Sequence, residues 1–139
     1  MMYYGRKLSQ SFAYDFVNQQ RKKEIDKLID MGYDYSLSQA LTHIDETSTE
    51  IVWHEEDRII KGAVCFDTKH IDKKAVLINF IFHNNKKDLE PLFNFFETTM
   101  KNLGVIYLHQ HVPIKHTEKI KLSEDLKFFK QSNILYKKV

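Results

Sequence analysis

The apolar positions of this chain change their spacing as the sequence proceeds, and each change marks an element. Met2 to Leu8 reads as a short first strand. Ser9 or Ser11 can then cap a helix that carries Phe12, Phe16 and Val17 on one face. The polar run Asn18 to Glu24 interrupts that face. It resumes at Ile25, Leu28, Ile29 and Met31, and Gly32 is a natural C-terminal stop. Leu37, Ala40, Leu41 and Ile44 keep helical spacing, so the pattern predicts a second, shorter helix over Ser36 to Ile44.

The middle of the chain switches to short extended runs. Glu50 to His54 reads as a strand, Glu55 to Arg58 as a polar turn, and Ile59 to Phe66 as a strand interrupted by Gly62. Asp67 to Lys74 is a polar connection. Ala75 to Phe82 is almost continuously apolar, the pattern of a strand covered on both faces. These runs predict an antiparallel meander whose last strand is central. Leu89, Leu92, Phe93, Phe96, Met100 and Leu103 then recur every three or four residues up to Gly104, a helix followed by a strand at Val105 to Leu108. Strand, helix and strand in so short a span make a βαβ crossover, which pairs the two strands in parallel. A helix around Leu122 to Phe129 and a strand at Ile134 to Tyr136 complete the order. The expectation is one α/β (α+β) domain over residues 1–139, a mixed central sheet with helices on both faces.

Length and composition narrow the class. A chain of 139 residues, 42% hydrophobic and 29% charged, is ordinary for a single globular domain. Four Gly and two Pro leave no linker-like stretch. The single Cys65 can form no internal disulfide, the start of the sequence has no apolar signal region, and no run reaches the ~18 residues of a membrane span. The expectation is a cytoplasmic protein with no membrane partner. A net charge of +2, with lysines interleaved among acids and only Arg6, Arg21 and Arg58 as arginines, argues against a nucleic-acid partner.

Several residue groups invite a chemical reading and receive a plain one. His109 and His111 share one face of a strand, and His83 and His116 lie at loop ends, but a third ligand and outer support for a metal are missing, so no metal is expected. Cys65 lies mid-strand among apolar neighbours, where a thiol is inert. Glu55, Glu56 and Asp57 read as a solvated turn, and Trp53 as core. Phe95 lies off the main stripe of its helix, a wider apolar face that would suit a homodimer.

The element order resembles the GNAT acetyltransferase superfamily over essentially the whole chain. Trp53 to Val64 is similar to the family's second hairpin, with Gly62 at its in-strand glycine, a position that marks a bulge or a close backbone approach. Phe128 to Ile134 is similar to the aromatic-rich helix end that turns through glycine, with Asn133 in the glycine's place. The resemblance implies that acetyl-CoA lies along the end of the central strand, at Phe80 and Phe82, with Asn84, Asn85, Lys86 and Lys87 holding its pyrophosphate. The acceptor would be a small-molecule or peptide amine.

The sequence departs from the family where its chemistry resides. The loop His83 to Pro91 has no glycine to let amides approach a phosphate. Asp88 is a good N-cap that would occupy those amides, and Glu90 adds charge of the wrong sign. Pro91 has no N–H, although its fixed φ suits a first turn. Lys86 and Lys87 can attract a phosphate as point charges, and Asn84 and Asn85 can adopt the left-handed conformation. Ile78 and Asn79 stand where a glutamate base is frequent, and Phe129 where a tyrosine acid is. His109 or His111 can take an amine's proton, and Tyr107 and Tyr136 are the nearby tyrosines. Two readings follow: an N-acetyltransferase moving acetyl from acetyl-CoA to an amine, or a non-catalytic binding or dimerisation module on the same fold.

Overall fold

The computed structural model describes residues 1–5, 11–45, 47–131 and 134–138. Arg6 to Leu8 of the expected first strand, Ser9 as a helix cap and Asn133 as a turn residue lie outside them. The elements are β1 (Met2–Gly5), α1 (Ser11–Asp30), α2 (Tyr35–Leu41), β2 (Thr49–Glu56), β3 (Ile59–Asp67), β4 (Ala75–His83), α3 (Lys86–Asn102), β5 (Tyr107–His111), α4 (Thr117–Asp125), β6 (Phe129–Gln131) and β7 (Ile134–Lys138). A 3-10 turn, Ile71–Lys73, sits between β3 and β4. Among the described residues no helix is long and apolar enough to cross a membrane.

The strands form one sheet in the order β1-β2-β3-β4-β5-β7-β6, with β4 in the middle. Every neighbouring pair is antiparallel except β4 and β5, which the α3 crossover makes parallel. One face carries Val52, Val64, Phe66, Val76 and Ile78 against Leu92, Phe93 and Phe96 of α3, joined by Ile120 of α4. On the other face Ile51, Ala63, Cys65 and Phe80 pack against Phe16 and Val17 of α1. Both faces are therefore covered, as the apolar run of β4 requires.

Two bulges set which side chains face which layer. In the β3–β4 ladder Cys65 pairs with Phe80 but Phe66 pairs with Ile78, so Asn79 is an extra residue. Side chains alternate along a strand, and one extra residue inverts the alternation. Val76 and Ile78 accordingly point to α3, whereas Phe80 and Phe82 point to α1. Lys61 plays the same part in the β2–β3 ladder, where His54 pairs with Gly62 and Glu55 with Ile60. Gly62 itself marks a close approach: a Cβ there would meet Leu92 Cδ2 at 2.8 Å and the Phe82 carbonyl oxygen at 2.9 Å.

Three boundaries differ from the sequence reading. The strand expected at Val105 to Leu108 begins at Tyr107, because the Val105 N–H is spent on the Met100 carbonyl (3.0 Å) that closes α3. The last helix runs over Thr117–Asp125, several residues before the expected Leu122 to Phe129. His116 caps its start, and Lys127, left-handed at φ 65°, turns the chain out of it. Phe128 then swings into the core against Phe93, ring centroids 5.9 Å apart, while Phe129 enters β6, a short strand the periodicity does not announce. The third is the start of α3, treated below.

Candidate functional site

The pairing of β4 with β5 runs from Ala75 opposite Tyr107 to Ile78 opposite Gln110 and then stops. Beyond that rung the outer half of β4, Phe80 to His83, continues without β5 beside it. The two strands open into a wedge, and a cavity of about 500 Å³ occupies it. Phe80, Ile81, Phe82 and Leu122 supply its apolar lining. Such a mix of apolar wall and a few polar groups, at this volume, is the usual form of a small-molecule site.

Charged residues arrive from three helices. Lys23, Glu24 and Lys27 come from α1, Lys86 from the start of α3, and Glu118, Lys119, Lys121 and Asp125 from α4. Lysines outnumber acids. Lys27 pairs with Glu118 and Lys86 with Asp125, each at 3.5 Å, and all four groups are well exposed to solvent. Pairs of that kind contribute roughly 0–1 kcal/mol, so their lysines remain available to a stronger anion.

The pair between His116 and Glu24 is of another kind. The Nε2 of His116 lies 2.8 Å from Glu24 Oε1, and its Nδ1 accepts the Lys119 N–H at 3.3 Å. This pattern suits a neutral imidazole that donates through Nε2 and caps α4 through Nδ1. Burial pushes the Glu24 carboxyl up, but the His116 hydrogen bond and the charges of Lys119 and Lys27 outweigh it and hold the group below the usual range. Burial also draws the Lys119 ammonium down, with the Glu24 charge opposing it in part.

The polar run of α1 thus has a place in the site. Glu24 reaches the cavity, and Arg21 Nε donates to the Thr42 carbonyl at 2.8 Å, fastening α1 to the end of α2. Two buried polar atoms beside the cavity have no partner: His83 Nδ1 and Gln110 Nε2.

Of the residues singled out in the sequence, Phe80, Phe82 and Lys86 line the cavity, whereas Asn84 and Asn85 lie in the loop before α3 and Lys87 in its first turn, outside the lining. The loop is held by its own backbone. The Asn84 N–H donates to the Lys61 carbonyl at 2.9 Å, and its side chain reaches the Ile60 carbonyl at 3.4 Å. The cap of α3 is Asn85, in extended conformation at φ −144°, and not Asp88, which falls in the first turn. Neither asparagine is left-handed; Asp57, Arg58, Lys74 and Lys127 are the non-glycine residues with positive φ among those described. Pro91 lies deeper in α3 than the first turn expected for it, where it withholds a bond from the Lys87 carbonyl.

Tyr107, His109 and His111 alternate with Leu108 and Gln110 along β5 and so occupy the opposite face, away from the cavity lining. Burial, and then the charge of His111, hold the His109 imidazole below its ordinary value. Cys65 is fully buried, which pushes its thiol up. No three His, Cys, Asp or Glu side chains among the described residues stand close enough to share a metal ion. Gln110, Glu24, His116 and Lys119 were not singled out for this site by the sequence reading. The signal for Gln110 was present: in Leu108-x-Gln110-x-Val112 an amide interrupts an alternating apolar face.

The sequence matches no family model and no curated protein. Its fold, in contrast, has close counterparts. It superposes on the GCN5 protein of Tetrahymena with a TM-score of 0.64 at 11% identity, over 91% of this chain and 88% of that one. An acetyltransferase of the GNAT family from Staphylococcus aureus gives 0.63 at 10% identity, over 99% and 98%. A domain from Methanocaldococcus jannaschii gives 0.60 at 16% identity, over 100% and 99%. By these superpositions the chain has the fold of the GNAT acetyltransferases. The expected architecture holds.

Proposed function

We propose that this protein binds acetyl-CoA in the wedge between β4 and β5 and transfers the acetyl group to an amine. The observation that carries this reading is the coincidence of the cavity with the end of the parallel β4–β5 ladder, on a fold shared with acetyltransferases. Fold alone is a weak warrant; a cavity with an apolar floor and a lysine-rich mouth adds chemistry to it. Acetyl-CoA supplies an acyl group already activated as a thioester.

The chain's own residues divide the work. Phe80, Phe82 and Leu122 offer apolar walls to a flexible arm, and Lys86 and Lys121 offer point charges to phosphates. Side-chain ammonium groups here replace the amide cradle that a glycine-rich loop would give. Glu24, ionised and facing the cavity, suits the ammonium form of an acceptor amine. His83 lines the same cavity with Nδ1 unpartnered, and an imidazole there accepts the amine's proton.

A second reading rests on the loop. With the Asn84 N–H spent on Lys61, Asn85 as cap and Lys86 paired with Asp125, the site functions as a closed surface of a binding module without coenzyme A. Thiol release from acetyl-CoA, followed colorimetrically with a panel of small and peptide amines, separates the two. The enzyme reading expects amine-dependent release that His83→Ala reduces while acetyl-CoA affinity stays constant. Neither acetyl-CoA binding nor release with any amine would support the module.

A further inference from the structure

Leu108, Gln110 and Val112 follow one another on the same face of the β5 segment, and all three are buried. The outer two are apolar and join the α3-side core. The middle one is an amide, 1% exposed, whose Nε2 has no acceptor. Burying an amide donor without a partner is costly, and a methionine of similar volume would fill the space without that cost. Native structures seldom leave such a group unpaired unless something else pairs with it.

Its place indicates what that is. Gln110 stands opposite Ile78 on the last rung before β4 and β5 part, at the vertex of the wedge, and it lines the cavity. Lys86, at the start of α3, marks the mouth. A long ligand with anionic phosphates at the mouth sets its opposite end at the vertex. In an acyl-CoA that opposite end is the acyl thioester.

We infer that Gln110 Nε2 donates a hydrogen bond to the carbonyl oxygen of the bound acyl thioester. The inference rests on the acetyl-CoA reading above and adds the group that recognises the acyl end. During transfer the amine nitrogen bonds to the carbonyl carbon and the C–S bond breaks. The amine gives up one proton, and coenzyme A leaves as its thiol. Gln110 holds the oxygen throughout, most strongly while that oxygen carries charge. The same bond discriminates acetyl-CoA from free coenzyme A, which has no such carbonyl.

Titration calorimetry of the full chain, with acetyl-CoA and with free coenzyme A, tests this on three proteins. The wild type should prefer acetyl-CoA by about tenfold, the usual scale for one buried hydrogen bond. Gln110→Met, which keeps volume, and Gln110→Glu, which keeps shape and offers only acceptors at a pH where it is ionised, should both bring the preference to about one. The melting temperature of Gln110→Met should equal or exceed that of the wild type, because an unpaired buried donor is gone. A preference retained in ionised Gln110→Glu, or a parallel loss for both ligands in Gln110→Met, would overturn the assignment without touching the reading that the wild type binds acetyl-CoA. Equal affinity of the wild type for the two ligands would do the same. A wild type that binds neither would overturn both readings together.

Discussion

Ile78 and Gln110 face each other across the last rung of the parallel β4–β5 ladder, and one residue further on the Asn79 bulge turns β4 inside out. The two facts belong together. The bulge sends Phe80 and Phe82 to the α1 layer, and the end of the ladder frees that half of β4 to border a cavity. A strand that kept its alternation would carry its apolar side chains toward α3 instead.

The packing of α3 on the sheet depends on the missing side chain at Gly62. Alanine there sets a methyl 2.8 Å from Leu92 Cδ2 and 2.9 Å from a backbone oxygen that cannot move alone. Gly62→Ala should lower stability by about 1–3 kcal/mol in urea titration. In a Leu92→Val background the cost should be smaller, because part of the clash has been removed.

Asn85 takes the capping part that the sequence suggests for Asp88. With Asn85 as the cap, Asn85→Ala should destabilise by up to about 1 kcal/mol. Asp88→Ala removes only a favourable charge in the first turn and should cost a few tenths of a kcal/mol. Chemical denaturation of the two variants ranks them, and the reverse order would restore Asp88 as the cap.

Much of the fold was legible because its signals are local. Short apolar runs between polar turns gave the meander, period three to four gave α3, and the short span between two apolar strands gave the crossover. The misplaced boundaries share a cause: nothing in Val105 or Lys127 announces that one N–H closes a helix or that a lysine adopts a left-handed turn. The candidate site was legible only along the chain. Phe80, Phe82 and Lys86 follow one another in sequence and line the cavity, whereas Glu24 and His116 meet across 92 positions. The histidines of β5 stood out by spacing, yet alternation carries them to the other face.

The Glu24–His116 contact should appear in the pH dependence of stability. Glu24 titrates below its ordinary 4.5 in the folded protein, so its contribution is present above pH 4.5 and is lost as pH falls through the lower folded value. Lys119 has the opposite effect at the alkaline end. Its folded value is depressed below 10.5, the unfolded chain holds the proton more tightly, and stability rises with pH across that interval. Glu24→Gln should flatten the acid limb of a melting-temperature profile. His116→Ala should do so too, and should cost about 1 kcal/mol more through the lost cap of α4.

His109 should titrate below 6.5 when followed by NMR of its ring protons. Burial is the larger cause and the His111 charge the smaller, so His111→Gln should raise the midpoint without restoring it fully. A midpoint that does not move would show that His111 exerts no charge on it.

The central claim is that the wedge beyond Ile78 and Gln110 holds acetyl-CoA. Titration calorimetry of the purified protein with acetyl-CoA addresses it most directly, repeated with a Lys86→Ala, Lys121→Ala double variant. Micromolar binding that weakens at least tenfold in the double variant is the predicted result. The absence of heat at millimolar acetyl-CoA, with no shift in melting temperature, would contradict the claim and leave the fold as a binding module.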